Sequence, residues 1–378
     1  MKIIKYIELF AGVGGFSAGI QRAGVPWRLV WFNQYEPGRK AQTAHRVMCE
    51  HFGVFRDLSG INTTNYDIRT VNKNNIPEHD LIVGGFPCQD YSVANANAAG
   101  ISGKKGALFW QIIDTINAKR PQFLLLENVD RLLRSPKHQR GADFAVILSA
   151  LHEAGYNVQW SVINAADFGE PQRRRRLYLF VYRNDLNIDR LFYDAFNAEQ
   201  VKTKTFALNG IGAYDFFDRG AMVNGNIETT KTKPLASVQK TLRSCLQADA
   251  PQRYYIKDVD RWRQKKAGKP TAMFTTKAGE TYKYTEGALQ FPDDIDAPAR
   301  TILTGEGSLL RTSHVIQDPQ TKQLRTLTPL ECERLQAFDD NWTASAPETN
   351  RRFLMGNAVN VNIIKLVAIS INDIIQGL

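Results

Sequence analysis

The 378 residues predict an α/β fold: a mainly parallel sheet covered on both faces by helices, with a smaller irregular domain inserted. Two observations carry this. Short apolar runs alternate with amphipathic stretches through residues 1–183, the signature of strand-helix-strand units. That alternation is lost over 184–296, where Lys, Arg, Gly, Thr and Tyr mix with short apolar pieces, and it returns near Ala299. The expected domains are therefore 1–183, an insertion at 184–296, and 297–378 returning to the first domain.

Taken in order, strands are expected at 6–10, 29–33, 81–85, 123–127, 158–164 and 177–182, each a short run of apolar residues. Helices are expected at 40–52, 107–118 and 142–154, where apolar residues recur at helical spacing. After the insertion, 300–304 is strand-like, and helices are expected at 329–338 and 359–375. In such folds a ligand sits beyond the carboxyl ends of the strands. The polar and Gly-rich segments of this chain fall there.

Composition narrows the class. With 48 Lys plus Arg against 38 Asp plus Glu, the net charge is +10, which favours an anionic partner, nucleic acid first. The four cysteines show neither zinc-ligand spacing nor the density of a disulfide framework, so no metal is expected and a reducing, cytoplasmic compartment is. No apolar run approaches the roughly 18 residues of a membrane span. Glu8 interrupts the first apolar stretch, which excludes a secretory signal.

Five motifs carry chemistry. Phe10-Ala11-Gly12-Val13-Gly14-Gly15-Phe16 joins the first strand to a helix, where backbone can approach a ligand and unpaired N–H groups face it. The spacing is not G-x-G-x-x-G, and by itself the loop is equally a tight turn without ligand. Glu36, after the second strand, is placed to accept from ribose hydroxyls, and Asp67 ahead of Ile68 from an exocyclic amine. Gly85-Phe86-Pro87-Cys88-Gln89 puts a cysteine just beyond a buried strand, where a thiolate would be a nucleophile, with no adjacent histidine to serve a protease. Glu127 ends a hydrophobic strand, and burial would raise its pKa and suit it to share a proton with a substrate nitrogen. In Gln172 to Arg176, a strand starting near Arg174 would turn Arg174 and Arg176 to one face and Arg173 and Arg175 to the other.

In this order the motifs resemble the cytosine-5 DNA methyltransferases of bacterial restriction–modification systems, over nearly the whole chain outside the insertion. Glu127-Asn128-Val129, Gln172 to Arg176 (with Arg174 and Arg176 as the two arginines of Gln-x-Arg-x-Arg), Arg325 to Cys332 and Gly356-Asn357-Ala358-Val359 match that family's motifs. The resemblance implies a Rossmann-like S-adenosylmethionine-dependent methyltransferase fold. It implies that S-adenosylmethionine lies on Gly12, Val13, Gly14, Gly15 and Phe16, with Phe10 near adenine, Glu36 on ribose and Asp67-Ile68 beside the base. Pro87, Leu108, Asn357 and Ala358 would complete that pocket. Cys88 would attack C6 of a cytosine flipped from double-stranded DNA, with Glu127, Arg174 and Arg176 as the other catalytic residues.

Two departures stand out. Pro37 rather than an aromatic residue follows Glu36, leaving Gln34 as the other claimant to the ribose position. Val359 to Asn362 is also richer in Asn than a helix start needs. The insertion would be a target recognition domain, its Lys and Arg on phosphate and its polar loop residues on base edges. Gln89, Ser92, Arg174, Thr271 and Lys277 are the expected DNA contacts, with 271–290 as the reading loop. The resemblance also implies a cytoplasmic monomer, bacterial or phage-encoded, with a cognate restriction endonuclease acting separately. The alternatives are a tRNA cytosine-5 methyltransferase of the same superfamily, a dinucleotide-dependent oxidoreductase, or a DNA-bound regulator without catalysis. The last two leave Cys88, Glu127 and Arg176 without a task.

Overall fold

The computed structural model describes residues 2–86, 108–136, 139–196, 198–208, 214–235, 238–275 and 281–378. They form two compact units. The first comprises Met1–Phe168, Arg174–Val238 and Val359–Leu378, and the second Gly169–Arg173 and Gln239–Ala358.

The first unit is built on one nine-stranded sheet. Its strands are β1 (Ile4–Leu9), β2 (Trp27–Asn33), β3 (Leu81–Gly85), β4 (Phe123–Val129), β5 (Tyr156–Asn164), β6 (Arg175–Arg183), β7 (Ala198–Ala207), β8 (Arg219–Val223) and β9 (Asn226–Pro234). The spatial order is β2-β1-β3-β4-β6-β5-β8-β9-β7. The pairs β2–β1, β1–β3 and β3–β4 are parallel, and every pair beyond β4 is antiparallel. The parallel strands read as near-continuous apolar sequence because both faces are covered. Leu81, Ile82 and Val83 of β3 and Leu124, Leu125 and Leu126 of β4 have no exposure at all.

Helices α1 (Gly15–Ala23), α2 (Thr43–Phe52), α3 (Leu108–Lys119) and α4 (Ala142–Glu153) follow the strands that lead into them. The C-terminal helix α8 (Val361–Ile375) is apolar on the face it presents to the core and packs on α1. Gly19 of α1 permits that approach, since a Cβ there would stand 2.5 Å from Ile364. Taken as one stretch, Glu348–Ile375 is long and apolar enough to cross a membrane by length and composition, contrary to the sequence expectation that no such run exists. Most of it is buried inside the protein, as a core helix requires.

The second unit holds α5 (Val259–Lys266), the antiparallel ribbon β10 (Lys269–Thr275)–β11 (Thr281–Glu286), the pair β12 (Val315–Gln317)–β13 (Leu324–Thr326), α6 (Pro329–Leu335) and α7 (Glu348–Asn357). Its anchor is Arg325, fully buried, bound by Asp318 at 2.7 Å and by both oxygens of Glu331. Glu331 also closes a reciprocal cap with Thr328 at the start of α6.

Two boundaries differ from the sequence expectation. The second unit opens at Gln239 rather than 184, because β7, β8 and β9 extend the main sheet through β5. It closes at Ala358 rather than 296. Residues 300–304 are not a strand. Arg300 instead ion-pairs with Asp293 at 2.8 Å, and only Ala299 bridges, to Gln172.

Candidate functional site

The first cluster forms where β1 gives way to α1. Phe10 takes the left-handed conformation at φ 56°, which non-glycine residues rarely adopt. Its side chain is half-exposed at the sheet's carboxyl end and packs by its other side on the core. Ala11 N donates to Asn33 O at 3.0 Å and Gly12 N to the Gln34 side chain at 2.7 Å, tying the loop to the end of β2. Gly14, at φ 85°, must be glycine for two reasons: its backbone is left-handed, and a Cβ would stand 2.6 Å from Met48 and Phe52. At Gly12 a Cβ would meet nothing within 4 Å, so the loop has open space on that side.

Beneath the loop lies Glu8, a carboxylate with no exposure. It accepts from Ser17 N at 3.0 Å and from the Ser17 hydroxyl, which also receives the Tyr6 hydroxyl at 3.1 Å. Burial pushes the Glu8 carboxyl up to about 7 despite these bonds. The sequence reading used Glu8 only as a charge that interrupts an apolar run. A carboxylate at an inward position of a buried strand was the available signal.

Further along the same edge, Glu36 is half-buried and its Oε2 accepts from Ala44 N at 2.9 Å, at the amino end of α2. Of the two claimants to the ribose position, Gln34 is bound to Gly12 of the loop and Glu36 to Ala44 of α2. Asp67 is already engaged: both its oxygens receive the Arg69 guanidinium, which holds its carboxyl below the usual range. Ile68 is buried behind it, and Leu108, half-buried, opens α3. Asn357 and Ala358 end α7 in the second unit. Pro87, Cys88, Gln89, Ser92 and Lys277 lie outside the described residues.

The second cluster sits at the ends of β3, β4 and β6. Glu127 is 9% exposed, and its Oε1 receives Arg176 Nε at 2.9 Å. Burial raises its carboxyl, and the charges of Arg176 and Arg174 oppose that rise. Arg174, 3% exposed, is pulled down by burial and by Arg176. Strand β6 starts at Arg175, two residues before the expected 177, and the alternation foreseen for a start near Arg174 holds: Arg173 and Arg175 are exposed while Arg174 is buried and Arg176 nearly so. Arg175 turns away to Asp130 at 3.0 Å and Asp218 at 3.4 Å.

Two residues in this cluster have structural tasks that the motif did not spell out. A Cβ on Gly85 would stand 2.8 Å from Glu127 Oε2, so glycine here makes room for the carboxylate. Asn128 Nδ2 donates to Phe86 O at 2.9 Å, and its Oδ1 accepts from Val129 N at 2.8 Å. Asn128 therefore fastens the last described residue before Pro87-Cys88 to the strand that carries Glu127.

A buried carboxylate–guanidinium pair thus lies beside Gly85 at the end of β3. The family model for C-5 cytosine-specific DNA methylases matches residues 4–373. This chain belongs to that family. It is a DNA cytosine-5 methyltransferase, with an α/β methyltransferase fold. Among its relatives, the type II methyltransferase M.Sau3AI of Staphylococcus aureus is 41% identical over 99% of this chain and 97% of its own length. M.HhaI of Haemophilus parahaemolyticus, also a type II methyltransferase, is 26% identical over 98% and 94%. In structure the chain is similar to the Dnmt2 methyltransferase of S. pombe, with a TM-score of 0.63 at 15% identity over 100% of this chain and 99% of that one, a likeness of fold.

In the second unit, the expected reading loop is the β10–β11 ribbon, whose turn residues 276–280 lie outside the description. Thr271 is exposed on β10, its hydroxyl 2.9 Å from that of Thr285 across the ribbon. A two-stranded ribbon is narrow enough to enter a major groove.

Proposed function

We propose that this methyltransferase acts on a cytosine flipped out of duplex DNA within a specific target sequence, taking its methyl group from S-adenosylmethionine. The observation that carries the proposal is the Glu127–Arg176 pair, nearly buried at the strand ends with Glu127 against Gly85, three residues before Cys88 in the chain. The cofactor loop fits the group: open space over Gly12, the amino end of α1 behind it, Phe10 half-exposed at the end of β1, and Glu36 just beyond β2. When bound, S-adenosylmethionine supplies an electrophilic methyl on a sulfonium.

This chain's residues do the rest. Cys88 as thiolate forms a bond to C6, which makes C5 nucleophilic. Glu127, its carboxyl raised by burial against the opposing charges of Arg176 and Arg174, serves N3 and the exocyclic amine, and Arg176 serves O2, offsetting charge that develops on the ring. After C5 gains its methyl and loses its proton, elimination breaks the S–C6 bond and returns the thiolate. Arg174, behind the pair, keeps the field at Glu127 positive. Thr271 on β10 contacts DNA, as does Lys277, and the enzyme works in the cytoplasm, bacterial or phage-encoded, as the modification partner of a separate endonuclease.

Bisulfite sequencing of plasmid from cells expressing the chain tests this directly, with protected cytosines in one sequence context expected. Glu127→Gln should lower methyl transfer by about 10²–10³-fold while leaving S-adenosylmethionine affinity within about twofold. A plasmid without protected cytosines, or a variant of full activity, overturns the reading.

A further inference from the structure

The strands β8, β9 and β7 prolong the catalytic sheet beyond β5, and their register places a basic strip at a definite position. Glu127 pairs with Tyr178, Tyr178 with Ser161, Ser161 with Arg219, Arg219 with Thr230, and Thr230 with Thr203. Thr230 and Thr203 therefore lie level with Glu127 across the sheet. By alternation of direction, β9 after Thr230 runs the same way as β4 after Glu127, while β7 before Thr203 lies beside it. β8 begins at Arg219, so residues 231–234 of β9 and their partners on β7 extend past β8 at the end where Glu127 and Arg176 sit, with Thr232 level with the Val129–Arg176 pair. Four residues of strand reach about 13 Å beyond Thr230.

The overhang is cationic. Lys231 and Lys233 continue the face on which Ile227 and Thr229 are buried. Lys202 stands directly opposite Lys231, and Lys233 opposite Glu199. All three lysines are exposed. Nearer the core, Phe206 faces Ile227, and Lys204 faces Thr229 with its charge spent on Asp215. The face thus changes from apolar to cationic where the core ends.

Two lysines directly opposite each other cost stability unless an anion lies between them. Guarding an edge strand against pairing needs lysine, but not a facing pair of them. Four to five strand spacings separate β4 from β9 and β7, about 19–24 Å. Along a duplex that span is about six or seven base pairs at 3.4 Å each.

We propose that Lys202, Lys231 and Lys233 form a second phosphate-binding strip, which grips the DNA backbone several base pairs from the flipped cytosine. This deepens the reading above by adding a contact made by the catalytic unit itself, independent of the sequence-reading ribbon. The strip carries no base recognition. It adds length and salt dependence to binding.

The test uses the full chain and two duplexes that share one target site, mapped beforehand by bisulfite sequencing. One has about 10 base pairs and one about 30, with affinity measured as a function of salt. The wild type should prefer the long duplex, and the slope of log K against log salt should be steeper on it. K202T/K231T/K233T, which keeps β-favouring side chains, should bind the long duplex about ten- to a hundredfold more weakly. Its slope should flatten by about 2–3, and the length preference should be lost, while target sequence and S-adenosylmethionine affinity stay unchanged. A variant with wild-type slope and length preference overturns the proposal. So does one that self-associates yet binds DNA as before, since the lysines then only guard an edge. A wild type that binds neither duplex refutes the DNA reading itself, which is a different failure.

Discussion

The two halves of the catalytic sheet are built from one chain under opposite constraints. In the parallel half, β1, β3 and β4 are sealed on both faces, and even Glu8 and Glu127 are held there at 0% and 9% exposure. In the antiparallel extension, β7 is exposed at seven of its ten positions, and polar residues dominate β9 after Glu228. A sealed strand fixes a side chain to within a fraction of an ångström, which chemistry needs. An exposed strand leaves lysines free for a long polyanion, which does not need that precision. Position is the product of one half, and reach of the other.

Substitutions that crowd the sealed half should therefore cost activity steeply. Gly85→Ala is expected to lower methyl transfer by more than about a hundredfold, because its Cβ would enter the space of Glu127 Oε2. Circular dichroism should show the fold intact. An active Gly85→Ala enzyme would mean that Glu127 moves freely and the sealed half is less rigid than its burial implies.

Next in size is Asn128→Ala, which frees the carbonyl of Phe86, the residue that precedes Pro87-Cys88 in the chain. Loss of that bond is expected to reduce turnover by roughly tenfold, equivalent to about 1.4 kcal/mol. S-adenosylmethionine affinity, set at the Gly loop, should not change. Equal losses in turnover and cofactor affinity would show that Asn128 supports the fold as a whole.

Glu8 gives the sealed half a pH signature. Its carboxyl is raised from 4.5 to about 7 by burial, so the folded protein favours the protonated form. The corresponding stability is complete below pH 4.5 and is lost as pH rises through 7. The difference is about 3 kcal/mol. Glu8→Gln cannot ionise, and its stability in urea should fall less than that of the wild type between pH 5 and 8.5. Parallel curves for the two proteins would remove Glu8 as the source.

The smallest effect belongs to the extension. Thr203 and Thr230 share a hydroxyl bond at 3.0 Å across β7 and β9. Thr230→Val should cost less than about 1 kcal/mol of stability and leave specific activity untouched. A large loss of activity would show the two halves to be coupled, and the contrast between them would fail.

Local order was legible in the chain itself. Apolar runs located β1 to β6 to within about two residues at most ends, and Gly-rich turns, Glu127 and the Arg run stood out because each breaks an apolar pattern at its edge. Thr328-Pro329-Leu330-Glu331 carries its helix cap in the sequence alone. Periodicity is a property of neighbours along the chain, so it reports which segments form elements and which face they bury. Partners distant in sequence are another matter. That β7, β8 and β9 join the catalytic sheet, that Asn128 holds Phe86, that Gln34 is taken by Gly12, and that Gly85 clears space for Glu127 are all pairings between segments. No local pattern encodes them. They are fixed when closure of the sheet sets one register and burial makes every unpaired polar group costly.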